Sequence, residues 1–150
     1  MIKLENKKII QYFILLLLLQ ILNGYIFNYL NKNFFYFESP FFEEIPAKEI
    51  FFLVVLIAPI IETLIFQFLL FSLLNQMRIK NTLIIVLLMS FSFSLAHWYH
   101  WLYVVATFVN GFFLNYFYVY INKYRNELVA VLLTIALHAS YNLYGFLFVQ

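Results

Sequence analysis

Long apolar runs, separated by short polar stretches, dominate the sequence. Five of these runs are long enough to cross a bilayer, at about residues 9–29, 50–74, 82–101, 102–121 and 128–149. Each contains roughly the 20 residues that a transmembrane helix needs. We therefore predict an all-α, polytopic transmembrane bundle of about five helices, or of four if one run lies only at the interface.

The third and fourth runs almost touch, so the residues between them decide whether they form one helix or two. The sequence at this point is His97-Trp98-Tyr99-His100-Trp101. Aromatic residues of this kind favour the membrane–water interface. We predict a turn here, with His100 as an interfacial residue.

The composition supports a membrane protein with one domain over residues 1–150. Hydrophobic residues make up 65% of the chain and charged residues 11%, against roughly 25% charged in a soluble domain. The main partner is then membrane lipid. The absence of cysteine excludes disulfides and a cysteine nucleophile. No basic stripe indicates nucleic-acid binding.

The loop charges predict an orientation. Most of the nine Lys and Arg residues lie in three short segments, as Lys3, Lys7, Lys8, Arg78, Lys80, Lys123 and Arg125. The positive-inside rule makes this side cytoplasmic, so we expect the N-terminus inside and the C-terminus outside. The first run has no small-residue cleavage site and is interpreted as a retained helix. The low-charge, Phe/Ile/Asn-rich composition favours a bacterial inner membrane.

Glu62 is the one charged residue deep inside an apolar run. A charge there costs roughly 2.5–3.5 kcal/mol and usually faces the bundle interior at a functional site. The alternative is a protonated Glu that only hydrogen-bonds neighbouring helices. Pro59 precedes Glu62 by three residues, and it either starts a new helical segment or kinks a continuous helix.

Two histidines and an asparagine are the other polar candidates. His138 is central in the last run, and Asn142 lies four residues later on the same helix face. The alternative for this pair is structural hydrogen bonding between helices, and for His97 an interfacial position. Together with Glu62, this set is suited to hydrolysis, with a carboxylate and a histidine acting on water and a second His with Asn on an oxyanion. Glu62, His97 and His138 are equally suited to hold a catalytic metal, such as Zn²⁺ or another divalent ion.

These residues carry a family resemblance. Residues 58–67, with Ala58-Pro59 before Glu62, resemble the first motif of the CPBP intramembrane proteases, which are related to the CAAX prenyl proteases and are also called the Abi family. That motif reads Glu-Glu-x-x-x-Arg. Residues 93–97, from Phe93 to His97, match the second motif, Phe-x-x-x-His. Residues 138–142 match the third, His-x-x-x-Asn. The resemblance covers about residues 58–142 and leaves out the first helix.

The resemblance implies peptide-bond hydrolysis inside the membrane. Glu62 and His97 would activate water, and His138 and Asn142 would stabilise the oxyanion. The family is named as metalloproteases, although a glutamate mechanism without a metal is also argued. The implied substrate is a peptide or a prenylated protein, cleaved near a C-terminal CAAX-like site or a leader-peptide site.

The first motif departs from the family pattern at two positions. Thr63 stands in place of the second Glu, and Gln67 stands in place of Arg. If only one member of an ion pair were replaced, the other charge would stay unpaired in the membrane, whereas replacing both avoids this cost. We therefore expect Thr63 and Gln67 to form a neutral hydrogen-bonding pair that supports the site.

Three functional hypotheses remain open from the sequence. The leading one is an intramembrane endopeptidase. The second is a catalytically silent relative that binds a membrane partner or serves as a bacteriocin-immunity protein. The third is a transport element that uses Glu62 as a proton carrier, which the small size and the lack of an inverted repeat disfavour.

Overall fold

The computed structural model describes residues 5–37 and 45–149, and every regular element within them is a helix. The five helices in chain order are α1 (Asn6–Phe35), α2 (Ala47–Gln76), α3 (Thr82–Leu95), α4 (Trp101–Tyr124) and α5 (Glu127–Phe148). Of these, α1, α2, α4 and α5 are long and apolar enough to cross a membrane, whereas α3 has only 14 residues. The predicted all-α bundle is confirmed.

The turn that separates the third and fourth apolar runs is also confirmed. Helix α3 ends at Leu95 and α4 begins at Trp101. The imidazole of His100 caps the start of α4, because its Nδ1 accepts a hydrogen bond from the backbone N–H of Leu102 at 3.3 Å. This local bond provides a partner for one of the free N–H groups at the start of α4.

Helix α4 is the central element of the bundle. It packs against α1, α3 and α5, and Phe117, Tyr118 and Ile121 on it are fully buried. Many large apolar side chains on the other helices point outward, such as Leu18 of α1 and Phe91 of α3. An apolar exterior of this extent is expected for a helix bundle whose solvent is lipid.

Proline shapes the backbone of α2 without ending the helix. The turns at Phe52–Ile57 and Thr63–Leu69 are π-helical, and the N–H of Ala58 bonds to the carbonyl of Leu53, five residues back. Since α2 is continuous from Ala47 to Gln76, Pro59 does not start a new helix. The widened turns are the local adjustment that accommodates its missing N–H.

The end of α1 covers the α3–α4 turn with aromatic side chains. Phe35 meets Trp101 edge-on at 5.0 Å between ring centroids. Phe37 stacks on His100 at 4.4 Å. The rest of the Phe-rich stretch, residues 38–44, lies outside the described residues. The contacts join the first helix to the turn that carries His97.

Candidate active site

Three of the predicted site residues meet inside the bundle. The Glu62 Oε2 atom lies 3.6 Å from His138 Nε2 and 3.9 Å from His97 Nε2. The three side chains come from α2, from α5 and from the α3–α4 turn. The Glu62 side chain is 24% exposed, whereas that of His138 is only 5% exposed. The cluster is thus closed at His138 and partly open at Glu62.

The end of α3 fixes the orientation of His97. The last carbonyls of a helix have no partner within it, and here the carbonyl of Phe93 accepts a hydrogen bond from His97 Nδ1 at 2.8 Å. Because a carbonyl can only accept, Nδ1 must carry the hydrogen. In the neutral imidazole the lone pair is then on Nε2, which is the atom that faces Glu62.

The Phe93 ring packs against both histidines. Its centroid lies 4.7 Å from that of His97 and 5.9 Å from that of His138. Gly111 of α4 also lies next to this ring, and an added Cβ there would lie 2.9 Å from Phe93 Cδ1. Only glycine leaves room for the ring at this depth, so Gly111 and Phe93 together hold the two imidazoles in place.

Asn142 is bound to α2 through the carbonyl that proline leaves free. In the π-helical register, the N–H of residue 59 would bond to the carbonyl of Val54, but Pro59 has no N–H. Asn142 Nδ2 supplies the missing donor at 2.8 Å. An amide NH₂ has a second hydrogen, so this bond ties α5 to α2 and leaves one donor of Asn142 uncommitted.

The expected pair between Thr63 and Gln67 is wrong. Both side chains are fully buried, yet Thr63 Oγ1 and Gln67 Oε1 have no hydrogen-bond partner. The Gln67 amide instead donates to Asn115 Oδ1 at 2.8 Å, and Asn115 Nδ2 donates to Ser90 Oγ at 3.0 Å. The physical reason is that Asn115 of α4 lies next to Gln67, so the Gln67 NH₂ donates to the Asn115 carbonyl and not to Thr63.

Several polar residues outside the three motifs hold the site helices together. Asn115 and Ser90 complete the chain of amides described above. Asn23 of α1 donates to the carbonyl of Ala106 and to Asn110 Oδ1, both at 3.0 Å. In the sequence, these Asn residues stand alone among aromatic residues of membrane helices. Because a buried amide needs hydrogen-bond partners, such positions indicate contacts with neighbouring helices.

The donor set does not fit a metal ion in this arrangement. No three His, Asp or Glu side chains among residues 5–37 and 45–149 form a group that could hold one. His138 Nδ1 also lacks the hydrogen-bond partner that orients a metal-bound histidine. No step through a metal follows from these residues.

Comparison with known proteins identifies a matching family. A sequence model of the family described as "Type II CAAX prenyl endopeptidase Rce1-like" matches residues 46–144. The matched range contains Glu62, His97, His138 and Asn142, and it leaves out α1. No curated protein and no solved structure matches the chain.

Proposed function

Because this chain belongs to the Rce1-like family of type II CAAX prenyl endopeptidases, we propose that it is an intramembrane endopeptidase with Glu62 as its general base. The observation that carries the proposal is the convergence of Glu62, His97 and His138 from separate elements of the bundle. A carboxylate and two imidazoles in a partly open site inside the membrane can activate water and bind a developing negative charge.

The first step is attack by water on the scissile carbonyl. Glu62 and His97 are 3.9 Å apart, which is beyond hydrogen-bond length and suits two groups that share a water between them. His97 Nε2 accepts one hydrogen of this water and orients it. Glu62 takes the other proton as the water oxygen bonds to the carbonyl carbon.

The second step is collapse of the tetrahedral intermediate. His138 and the uncommitted N–H of Asn142 donate to the oxyanion, which forms only in the transition state and intermediate. Glu62 then passes its proton to the leaving nitrogen, and the C–N bond breaks. The products are a carboxylic acid, which keeps the second hydrogen of the water, and an amine, and Glu62 is again a carboxylate that can act as the base.

The proposed substrate is an apolar peptide segment, cleaved near a C-terminal CAAX-like site or at a leader-peptide site. We place the protein in a bacterial inner membrane with its N-terminus in the cytoplasm, in agreement with the distribution of Lys and Arg over the loops. The proposed mechanism needs no metal. Among residues 5–37 and 45–149, four helices are long and apolar enough to span a membrane.

The replacement of Glu and Arg at Thr63 and Gln67 supports a second candidate, a catalytically silent relative that binds a membrane partner or acts in bacteriocin immunity. The double substitution Thr63→Glu with Gln67→Arg separates the two candidates, because it restores the family pattern. If the native chain is active, the double variant should not cleave peptides that the native chain cannot. If activity arises only in the double variant, the native chain is a silent binder.

The direct test is peptide cleavage by the purified protein in detergent, with prenylated C-terminal peptides and a broader peptide library. His97→Ala is compared with His100→Ala, a matched control three residues away that faces Phe37 instead of Glu62. Loss of a group that acts on the water lowers the rate about 10²–10⁴-fold, and His100→Ala should stay close to wild type. Equal rates for both variants would contradict the assignment of His97.

A further inference from the structure

The two ends of the bundle differ sharply in charge. At the end where α1 begins, α2 meets α3 and α4 meets α5, the described residues include Lys7, Lys8, Arg78, Lys80, Lys123 and Arg125, beside Glu5 and Glu127. At the opposite end they include only Lys32 and Lys48, beside Glu49. The positive-inside rule places the first end, here called the basic end, in the cytoplasm.

The catalytic cluster lies far from the basic end. Helix α3 starts there with Thr82 and has 14 residues, so it rises about 21 Å before the turn that carries His97. The hydrocarbon core of a bilayer is roughly 30 Å thick. His97 therefore lies about two-thirds of the way across, whereas Glu62 and His138 lie near the middle of α2 and of α5.

Exposed aromatic residues mark the interface at that other face. Tyr36 is 75% exposed and Trp98 is 77% exposed, and Trp101 is exposed beside them. Such residues gather at the level of the lipid headgroups. Since Trp98 directly follows His97, the interface passes close to the cluster on the side away from the basic end.

The interior between the cluster and the basic end is filled with side chains. Gln67, Asn115 and Phe117 are fully buried there, and the two amides are bonded to each other. A peptide that arrived from the basic end would have to displace this packed layer. On the lipid side, Ile61 and Ile65 next to Glu62 are half exposed and present an apolar surface.

We propose that the Glu62–His97–His138 site opens toward the non-cytoplasmic face, and that its substrate is an exported or membrane-inserted peptide with apolar residues beside the scissile bond. This inference rests on the proposed peptidase function for the cleavage itself, but the direction of opening does not. Opening toward the non-cytoplasmic face distinguishes this chain from an enzyme that processes the prenylated C-terminus of a cytosolic protein. Such a C-terminus is anchored at the cytoplasmic face.

Cysteine labelling in intact cells tests the direction of opening, since the chain has no native cysteine. Trp98→Cys reports on the cluster end and Met77→Cys on the basic end; these residues are 77% and 70% exposed, and neither change alters a charge. Tyr36→Cys is a second reporter at the cluster end. A membrane-impermeant maleimide should label Trp98→Cys and Tyr36→Cys in intact cells, and Met77→Cys only after permeabilisation. The reverse pattern, or equal labelling at both ends, would overturn the proposal.

A cleavage reporter then tests the substrate class. The library peptide that the purified protein cleaves fastest is expressed in the same cells with or without an export signal. Cleavage of the exported form alone supports the proposal, and cleavage of the cytosolic form alone refutes it while leaving the peptidase function intact. Absence of cleavage in both cells and detergent would refute the peptidase function, whereas the labelling result would still decide the direction of opening.

Discussion

Substitution of Gly111 by alanine tests whether packing around Phe93 sets the geometry of the catalytic histidines. The added Cβ would lie 2.9 Å from Phe93 Cδ1, whereas carbon atoms pack at about 3.5–4.0 Å, so the ring must move by roughly 0.6 Å. Because the ring contacts both His97 and His138, we expect its movement to displace the two imidazoles.

The expected cost has a structural part and a catalytic part. Overpacking of a filled core costs about 1–3 kcal/mol, and the better helix propensity of Ala over Gly returns up to about 1 kcal/mol. A misplacement of about 1 Å at a reacting group costs on the order of 10²-fold in rate. For the smaller shift here we expect kcat/KM to fall about tenfold, or ~1.4 kcal/mol of transition-state stabilisation.

Gly145→Ala is the matched control, since Gly145 also lies in a helix and an added Cβ there meets no atom within 4 Å. The assay measures kcat/KM and the thermal melting temperature of both variants in detergent. Gly111→Ala should lose activity, Gly145→Ala should not, and adding Phe93→Leu to Gly111→Ala should recover part of the loss. Equal activity of the two alanine variants would refute the view that the Phe93 ring orients the imidazoles.

Two further sets of variants and one chelator treatment test other parts of the site. Asn142→Ala removes the bond to the Val54 carbonyl and one oxyanion donor, so kcat should fall about 10²–10³-fold with little change in KM; unchanged initial rates would contradict the proposed role. Gln67→Leu leaves the buried Asn115 carbonyl unpaired and should destabilise the protein by about 1–3 kcal/mol in thermal melting, whereas Thr63→Val removes a hydroxyl without a partner and should not; a larger loss for Thr63→Val would refute this reading. A chelator should leave the cleavage rate unchanged, and inhibition that added zinc reverses would show that the site does hold a metal.

The helices, and the three residues that meet in the site, could be predicted from the sequence. Apolar runs of spanning length predict helices because a bilayer leaves no other way to satisfy the backbone, and the single deep carboxylate identified Glu62. The partner of Gln67 was not predictable from spacing along one helix, because Asn115 arrives from another helix. Nor was the role of Gly111, whose meaning depends on the position of the Phe93 ring.

The central claim is that the Glu62 carboxylate acts as the base, and Glu62→Gln tests it most directly because the amide has the same shape and cannot accept the proton. The measurement is the single-turnover cleavage rate of the purified variant, beside wild type and beside Glu49→Gln, an exposed glutamate at the start of α2. We predict that Glu62→Gln slows cleavage at least about 10²-fold and that Glu49→Gln cleaves like wild type. A Glu62→Gln variant that cleaves as fast as wild type would contradict the account.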